Sequence, residues 1–279
     1  MYPIAVLFNP KRKEALPLAE QICHWLRAGG KEAWSRTVDD AAYIEARIDQ
    51  LELVVVLGGD GTTLQAARWA APHDVPIFGV NLGRVGFLSE SDPNNWEERL
   101  GRVLRDEHWL ERRLMLSARV VRAGEPLGVL AALNDVVVSR SAKVRVVRFH
   151  LYVDDYHVTT YTADGLIAAT PTGSTAYSMA AGGPLLPPQL QNFLVLPVAA
   201  HLSFERPLVL HQDAAIKIEV EMENEALVTA DGQDALELQN GDVVEIRKHS
   251  CKSLFARVGG PNYFYHRLMQ RLSYWSRKQ

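Results

Sequence analysis

The stretch Leu53-Val54-Val55-Val56-Leu57-Gly58-Gly59-Asp60-Gly61-Thr62-Thr63 decides how the rest of the chain is read. Residues 53–57 form an unbroken apolar run, the pattern of a strand buried on both faces inside a parallel sheet. The run stops at a turn that places three glycines among four residues, 58–61. Behind it, residues 64–71 have helix-forming composition, and Thr62 or Thr63 is placed to cap that helix. The unit is therefore strand, glycine turn, helix N-terminus. Its glycines permit φ > 0 and let another molecule approach the backbone closely. The helix start offers free N–H groups and the positive end of the dipole, an anion site. Asp60 is the carboxylate in this turn, and a fixed negative charge there would repel a phosphate. Holding a metal ion or accepting a proton from an attacking hydroxyl would both suit it. The plainer reading is a tight turn in which Asp60 only caps the helix, because Gly-Asp-Gly is ordinary turn chemistry.

Working outward, residues 4–8 read as a short buried strand ending at Asn9-Pro10. Lys11, Arg12 and Lys13 then open a helical stretch to about Ala28, closed by Gly29-Gly30. Three cations at a helix start oppose its dipole. They fit beside phosphates, which sit at the carboxyl ends of strands in doubly wound sheets, and equally fit a solvated basic face. A second strand is expected over 31–36, a helix over 39–48 and a strand over 75–80. A glycine-spaced loop then runs through residues 81–90, with a helix expected from Asp92-Pro93 to about Arg105. Alternation of strands and helices over 1–105 implies an α/β domain with a Rossmann-like parallel sheet.

The pattern changes near His108. Short strands recur at 116–121, 129–132, 136–139, 146–153, 157–162, 166–169, 193–198, 215–222, 227–230 and 243–247. This all-β pattern places a domain boundary at about 106–113. The division is 1–112 for the α/β domain, 113–262 for a β-rich domain and 263–279 for a final helix. In that helix Phe264, Leu268, Leu272 and Trp275 recur on one face, with Arg267, Arg271, Arg277 and Lys278 off it.

Bulk properties exclude several classes. A chain of 279 residues with 47% apolar content builds a substantial core, so neither disorder nor a disulfide scaffold is expected. Its 30 basic and 33 acidic residues give a formal charge of −3, against non-specific nucleic-acid binding. Cys23 and Cys251 lie too far apart in sequence to form a metal-spaced pair. The N-terminus has no basic n-region, and no apolar run approaches the roughly 20 residues of a membrane helix. A cytoplasmic protein with no membrane partner is expected. The sequence contains no G-x-x-x-x-G-K-[ST] loop, no G-x-G-x-x-G opening a helix, no H-E-x-x-H and no G-x-S-x-G elbow.

A second unusual stretch covers residues 164–188. The strand at 166–169 breaks into Thr170-Pro171-Thr172-Gly173-Ser174-Thr175-Ala176-Tyr177, a loop dense in hydroxyls and exposed N–H groups. It can bind sugar hydroxyls, a phosphate or an amide, and Tyr177 offers a flat face to a heterocycle. Upstream, Asn134-Asp135 interrupts an apolar run. Polar side chains there are costly unless used or paired, and pairing to a neighbouring backbone would explain them equally well.

Taken together, Gly58-Gly59-Asp60-Gly61-Thr62, Asn81-Leu82-Gly83-Arg84-Val85-Gly86-Phe87-Leu88, Asn134-Asp135, Asp164-Gly165, the Thr170 to Tyr177 loop with Gly182-Gly183-Pro184, His201-Leu202-Ser203 and Asp231-Gly232-Gln233 resemble the NAD kinase family. The first motif is shared with diacylglycerol and sphingosine kinases; the stretches Asn81 to Leu88 and Thr170 to Tyr177 are much more specific. The resemblance spans roughly residues 50–235 in order and spacing. It implies an α/β domain, a β-rich domain and a final segment returning to the first, and a reaction that makes NADP from NAD and ATP. It implies that Asp60 takes the proton from the 2′-hydroxyl of the adenosine ribose. Gly58, Gly59, Gly61 and Thr62 would make room for the donor's phosphates, with Mg²⁺ or another divalent cation bridging them. Asn134, Asp135, Asp164, Thr172, Thr175, Ala176 and Tyr177 would form the NAD site, placed by the resemblance between the domains. The family also implies a homo-oligomer, dimer or tetramer. Three departures stand out: Asp135 where the family has Glu, Ala180 where many members have Ser, and Thr162 where many have a basic residue. They predict altered affinity or NAD/NADH preference with the chemistry retained. The alternatives are a lipid kinase sharing the glycine turn and a non-catalytic NAD(H)-binding sensor.

Overall fold

The computed structural model describes residues 2–83, 86–140, 147–200, 206–222 and 225–276, with backbone alone for 272–276. The chain divides into two compact units, residues 1–113 with 251–279, and residues 114–250.

The first unit opens with β1 (Ile4–Phe8), α1 (Ala15–Ala28), β2 (Ala33–Thr37), α2 (Ala41–Glu45), β3 (Leu53–Gly58), α3 (Asp60–Ala70), β4 (Ile77–Asn81), α4 (Trp96–Leu104) and β5 (Trp109–Arg113). The second unit holds β6 (Leu116–Arg122), β7 (Glu125–Ala132), β8 (Asp135–Arg140), β9 (Val147–Val153), β10 (Tyr156–Ala163), β11 (Gly165–Ala169), α5 (Tyr177–Ala180), β12 (Asn192–Val198), β13 (Leu208–His211), β14 (Ile216–Glu221), β15 (Ala226–Ala230), β16 (Asp234–Leu238) and β17 (Val243–Lys248). The chain then re-enters the first unit with β18 (Ser253–Arg257) and α6 (Tyr263–Ser276).

In the first unit the sheet order is β2-β1-β3-β4-β18-β5. All pairings are parallel except the last, β18 with β5. Every residue of β3 is buried, as the apolar run requires when helices cover both faces of a sheet. α1 contributes Ala15, Ala19, Ile22, Cys23 and Leu26 to one core cluster, and α4 adds Trp96, Leu100 and Val103. Strand order reverses between β1 and β3, so the carboxyl ends of these strands flank a topological switch point.

In the second unit two six-stranded antiparallel sheets, β10-β9-β14-β17-β6-β7 and β13-β12-β11-β8-β15-β16, enclose one core. Period-2 burial sorts the strands. Val136, Val138, Leu166, Ala168, Phe193 and Val195 enter the shared core, while Val137, Ile167, Ala169, Leu194 and Leu196 form a separate cluster.

Several boundaries differ from the sequence reading. The return to the first unit begins at Cys251, twelve residues before the helix at Tyr263, because β18 is an internal strand of the first sheet. α1 starts at Ala15, which leaves Lys11, Arg12 and Lys13 in the preceding turn. α4 starts at Trp96, because Asp92 accepts the Asn94 N–H at 2.8 Å and the Asn95 side-chain amide at 3.1 Å, a turn that competes with helix.

Phe255 on β18 is fully buried, with the Arg113 and Arg257 guanidinium groups each 5.1 Å from its ring centre. Phe255→Ala is expected to cost about 3–5 kcal/mol. All six tryptophans lie at positions assigned to the first unit, so tryptophan fluorescence during urea unfolding reads this loss directly.

Candidate active site

In the first unit the turn after β3 departs from expectation in an informative way. Gly59 is the N-cap residue, α3 begins at Asp60, and no side chain caps the helix; the Thr63 hydroxyl donates to the Gly59 carbonyl at 3.2 Å. None of Gly58, Gly59 and Gly61 has a positive φ. Glycine is therefore not needed there for left-handed backbone, and space is the reason that remains. A Cβ on Gly58 would collide with the Thr62 side chain, whereas one on Gly59 or Gly61 would meet nothing within 4 Å.

Asp60 caps the loop that follows β4, not its own helix. Its Oδ2 accepts the Phe87 N–H and its Oδ1 the Leu88 N–H, both at 3.1 Å. A Cβ on Gly86 would overlap the carboxylate, so this approach requires glycine at 86. The side chain of Asp60 remains 28% exposed, and Arg271 Nη1 stands 3.9 Å from Oδ2. A carboxylate has about four lone-pair sites, so the two loop bonds leave each oxygen free to accept another proton. The turn is tied to β1 by the Asn9 side-chain amide, which donates to the Thr62 hydroxyl at 3.2 Å. Arg12 lies near Gly83, at the end of β4.

The loop itself is held from behind by a buried ionic network. Arg257 Nη1 donates to the Leu88 and Ser89 carbonyls at 3.2 and 2.9 Å, and its Nε to Glu111 at 2.9 Å. Glu111 also holds Arg113 and the Tyr263 hydroxyl. Burial alone would raise the pKa of Glu111, but Arg113 and Arg257 outweigh it and hold the carboxyl at about 2. A cleft of about 620 Å³ opens beside this loop, lined by Asn81, Gly83, Ser89, Asn95, Arg267 and Gln270 among others.

The second unit builds its site around another carboxylate. Asp231, in a left-handed conformation with φ 52°, accepts the N–H groups of Leu133, Asn134 and Asp135 at 3.0, 2.7 and 3.2 Å. Thr170 closes the other side: its hydroxyl donates to the Leu133 carbonyl at 2.6 Å and its N–H to the Asn134 carbonyl at 2.8 Å. A Cβ on Gly173 would overlap the Asn134 backbone, so the Ser/Thr-rich loop and the Asn134-Asp135 segment meet only because residue 173 is glycine. The hydroxyls of Ser174 and Thr175 are turned inward, donating to the carbonyls of Pro171 and Thr172. Asn134, Asp135, Ala176, Tyr177, Asp231 and Gly232 line a cleft of about 350 Å³. Tyr177 is half exposed there.

Of the expected dinucleotide-site residues, Asn134, Asp135, Ala176 and Tyr177 therefore share one cleft, with buried Thr172 and Thr175 shaping the loop behind them. Asp164 does not join them. It precedes β11 and Thr170 follows it, so the two stand at opposite ends of a strand, roughly 20 Å apart. There Asp164 pairs with Arg140 at 2.7 Å. His201, Leu202, Ser203, Arg84 and Val85 fall outside the described residues. Asp231 carries more of the geometry than its sequence suggested, since Asp-Gly reads first as a hairpin turn.

Residues 30–108 match the ATP-NAD kinase N-terminal domain, and residues 133–258 match the ATP-NAD kinase C-terminal domain. The NAD kinase of Chloroflexus aggregans is 38% identical over 272 residues, which cover 96% of this chain and 98% of that protein. The chain belongs to the NAD kinase family. It is also 40% identical to the NAD kinase of Heliobacterium modesticaldum over 95% of this chain and 96% of that protein. Among solved structures, an NAD kinase from Archaeoglobus fulgidus in complex with ATP superposes with TM-score 0.78 at 26% identity, covering 96% of this chain and 98% of that chain. A yeast NADH kinase complexed with NADH shares the fold, with TM-score 0.87 at 22% identity over 98% of this chain and 88% of that one. This NAD kinase family member is thus a phosphotransferase, and its relatives do not favour the lipid-kinase or sensor alternatives. Among its described residues no helix is long and apolar enough to cross a membrane.

Asp135 generates a pH prediction. Burial, and then the neighbouring Asp231 carboxylate, push its pKa up to about 7, against a hydrogen bond from the Tyr177 backbone. A raised folded-state pKa means that the folded protein binds more protons than the unfolded chain between about pH 4 and 7. This contribution is full at the acid end, falls as pH rises through the window, and is gone above about 7. Asp135→Asn is expected to remove it, so the variant gains on wild type by a few kcal/mol at most between pH 5 and 8. Paired melting curves at those two pH values check this.

Proposed function

We propose that this chain transfers the terminal phosphoryl group of ATP to the 2′-hydroxyl of the adenosine ribose of NAD, giving NADP. The observation that carries the reading is the pair Gly59 and Gly61. Neither is required by backbone conformation, and neither would meet a neighbour if it carried a Cβ. Open space above a helix N-terminus, next to a reachable carboxylate, suits the donor's phosphates.

In this reading the β-rich unit holds NAD. Asn134 and Asp135 face the ribose, and Tyr177 supplies a flat surface for a ring. Thr172, Thr175 and Ala176 shape that loop, and Asp164 stays a candidate whose pairing with Arg140 would have to be exchanged for a ligand contact. The first unit supplies Gly58, Gly59, Gly61 and Thr62 around the phosphates, with Asp60 as general base. A carboxylate is too weak a base to deprotonate a sugar hydroxyl in advance. It accepts the proton as the new P–O bond forms, while the β–γ bridging bond of ATP breaks and ADP leaves. Phosphoryl transfer has a loose transition state, so placing the hydroxyl in line and neutralising charge supply most of the rate.

Mg²⁺ or another divalent cation enters with ATP as part of the substrate. Asp60 is the carboxylate of the turn, and no set of three or more His, Cys, Asp or Glu side chains stands ready for a metal among the described residues. That donor set fits an ion carried by the phosphates. The reading keeps the protein in the cytoplasm as a homo-oligomer, dimer or tetramer.

Asp60→Asn is expected to leave NAD binding largely intact and to lower turnover by about 100-fold or more, roughly the low end for a positioned base. NADP formation read by an NADP-specific dehydrogenase tests this, and near-normal turnover would reject the role. Gly61→Ala is expected to raise KM for ATP several-fold with KM for NAD unchanged. A normal KM for ATP would move the phosphates away from this turn.

A further inference from the structure

The sequence places Arg267 and Arg271 off the apolar face of α6, and both reach the loop that holds Asp60. Tyr263, Arg267 and Arg271 follow one another at intervals of four and share one helix face. Tyr263 joins the Glu111 network. Arg267 Nη1 donates to the Gly86 carbonyl at 2.7 Å and to the Ser89 hydroxyl at 3.2 Å. Arg271 stacks on the Phe87 ring, 4.9 Å from its centre, and reaches to 3.9 Å from Asp60 Oδ2.

We propose that α6 sets the position of Asp60, with Arg267 fixing the peptide that holds the carboxylate and Arg271 flanking the carboxylate itself. The inference rests on the reading of Asp60 as the general base. Its core is one peptide group. The Gly86 carbonyl that takes the Arg267 hydrogen bond and the Phe87 N–H that binds Asp60 belong to the same planar unit. Tilting one end tilts the other, and a cation on the carbonyl polarises the N–H toward the carboxylate. The next N–H, of Leu88, binds the other oxygen of Asp60, while Arg257 fixes the Leu88 and Ser89 carbonyls. The chain from helix to carboxylate is short and rigid.

Anchoring the helix does not account for Arg267. Tyr263 already ties α6 to Glu111, and Phe264 is buried against the unit. Among the described residues Arg267 forms no ion pair within 4 Å, although burial, and then the neighbouring Arg257, lower its pKa to about 10. A guanidinium drawn partly out of water is costly to place, and here, besides the Tyr263 ring 5.4 Å from it, both of its hydrogen-bond partners lie on the loop that presents the Asp60 donors. Both arginines are positioning residues in this scheme.

The test assays NADP formation by Arg267→Lys and Arg271→Gln, each alone and each combined with Asp60→Asn, in the full-length protein. Each single variant is expected to lower kcat by about 10-fold, a fraction of the ~100-fold that 1 Å of misplacement can cause. KM for NAD and for ATP should stay within about 2-fold. In the Asp60→Asn background neither substitution should lower kcat further, because the group it positions is gone. Arg271 is partly exposed, so its variant reports even where Arg267→Lys does not fold. Normal kcat in Arg271→Gln, or losses that multiply with Asp60→Asn, would overturn the inference. A wild type that makes no NADP in the same assay would instead overturn the reaction assigned above.

Discussion

The first unit depends on one arrangement, the Asp60 carboxylate bound by two consecutive N–H groups of a loop. Two oxygens receive two donors from residues 27 and 28 positions later in the chain. Such a pair of charge-assisted bonds fixes a side chain in one rotamer and a loop in one path. Everything nearby serves that contact: Gly86 lacks the Cβ that would block it, and the Gly79 carbonyl accepts the Glu90 and Ser91 N–H groups at 2.8 and 3.0 Å, holding the loop against β4. The strands that carry Asp60 and the loop are neighbours, so the sheet register sets the distance between them.

The second unit repeats the device with different parts. There Asp231 gathers three successive N–H groups and bends residues 133–135 into a shelf. Gly173 allows the Ser/Thr-rich loop to close on that shelf, as Gly86 allows its loop to close on Asp60. In both units a carboxylate organises backbone donors and a glycine removes the obstacle. The difference lies in the neighbours. Arg271 stands by Asp60, whereas burial, and then the Asp231 carboxylate beside it, pushes Asp135 toward neutrality. A near-neutral acid can donate a hydrogen bond as well as accept one, which under the proposed function would widen what Asp135 can offer a ribose hydroxyl.

Much of this was legible in the sequence because it is local. The continuous apolar run at 53–57 reads as a strand buried on both faces, and so it is; the apolar runs at 136–138, 166–169 and 193–196 announced strands, but being apolar throughout they did not tell which residues enter the shared core and which the separate cluster. What the sequence hid is non-local. The partners of Asp60 are main-chain N–H groups, which carry no side-chain signature. β18 is too short and too far from its partners to announce that it completes the first sheet. The sequence could place Arg267 and Arg271 off the apolar face of α6 but not say what they meet, because an arginine ladder reads the same whether it faces water or carbonyls; spacing of four was visible, its destination was not. For the glycines of the central turn the sequence offered two reasons, positive φ and close approach; the backbone there is ordinary, which leaves the second.

A carboxylate at a helix start works against phosphates brought to the same end, because like charges repel and the helix dipole is then shared with the wrong anion. The arrangement around Asp60 removes the difficulty. Two N–H donors and the Arg271 guanidinium offset its charge, while each oxygen keeps a further lone pair. Thr62 and Thr63 donate their N–H groups to the Gly59 carbonyl at 3.1 and 3.2 Å, so what this turn offers is the open space above Gly59 and Gly61. Under the proposed function an incoming polyanion would meet this open turn, with the carboxylate held aside by its loop bonds. A hydroxyl approaching the remaining lone pairs would then find an acceptor, so the bonds that restrain Asp60 would also select the geometry in which a proton can be taken.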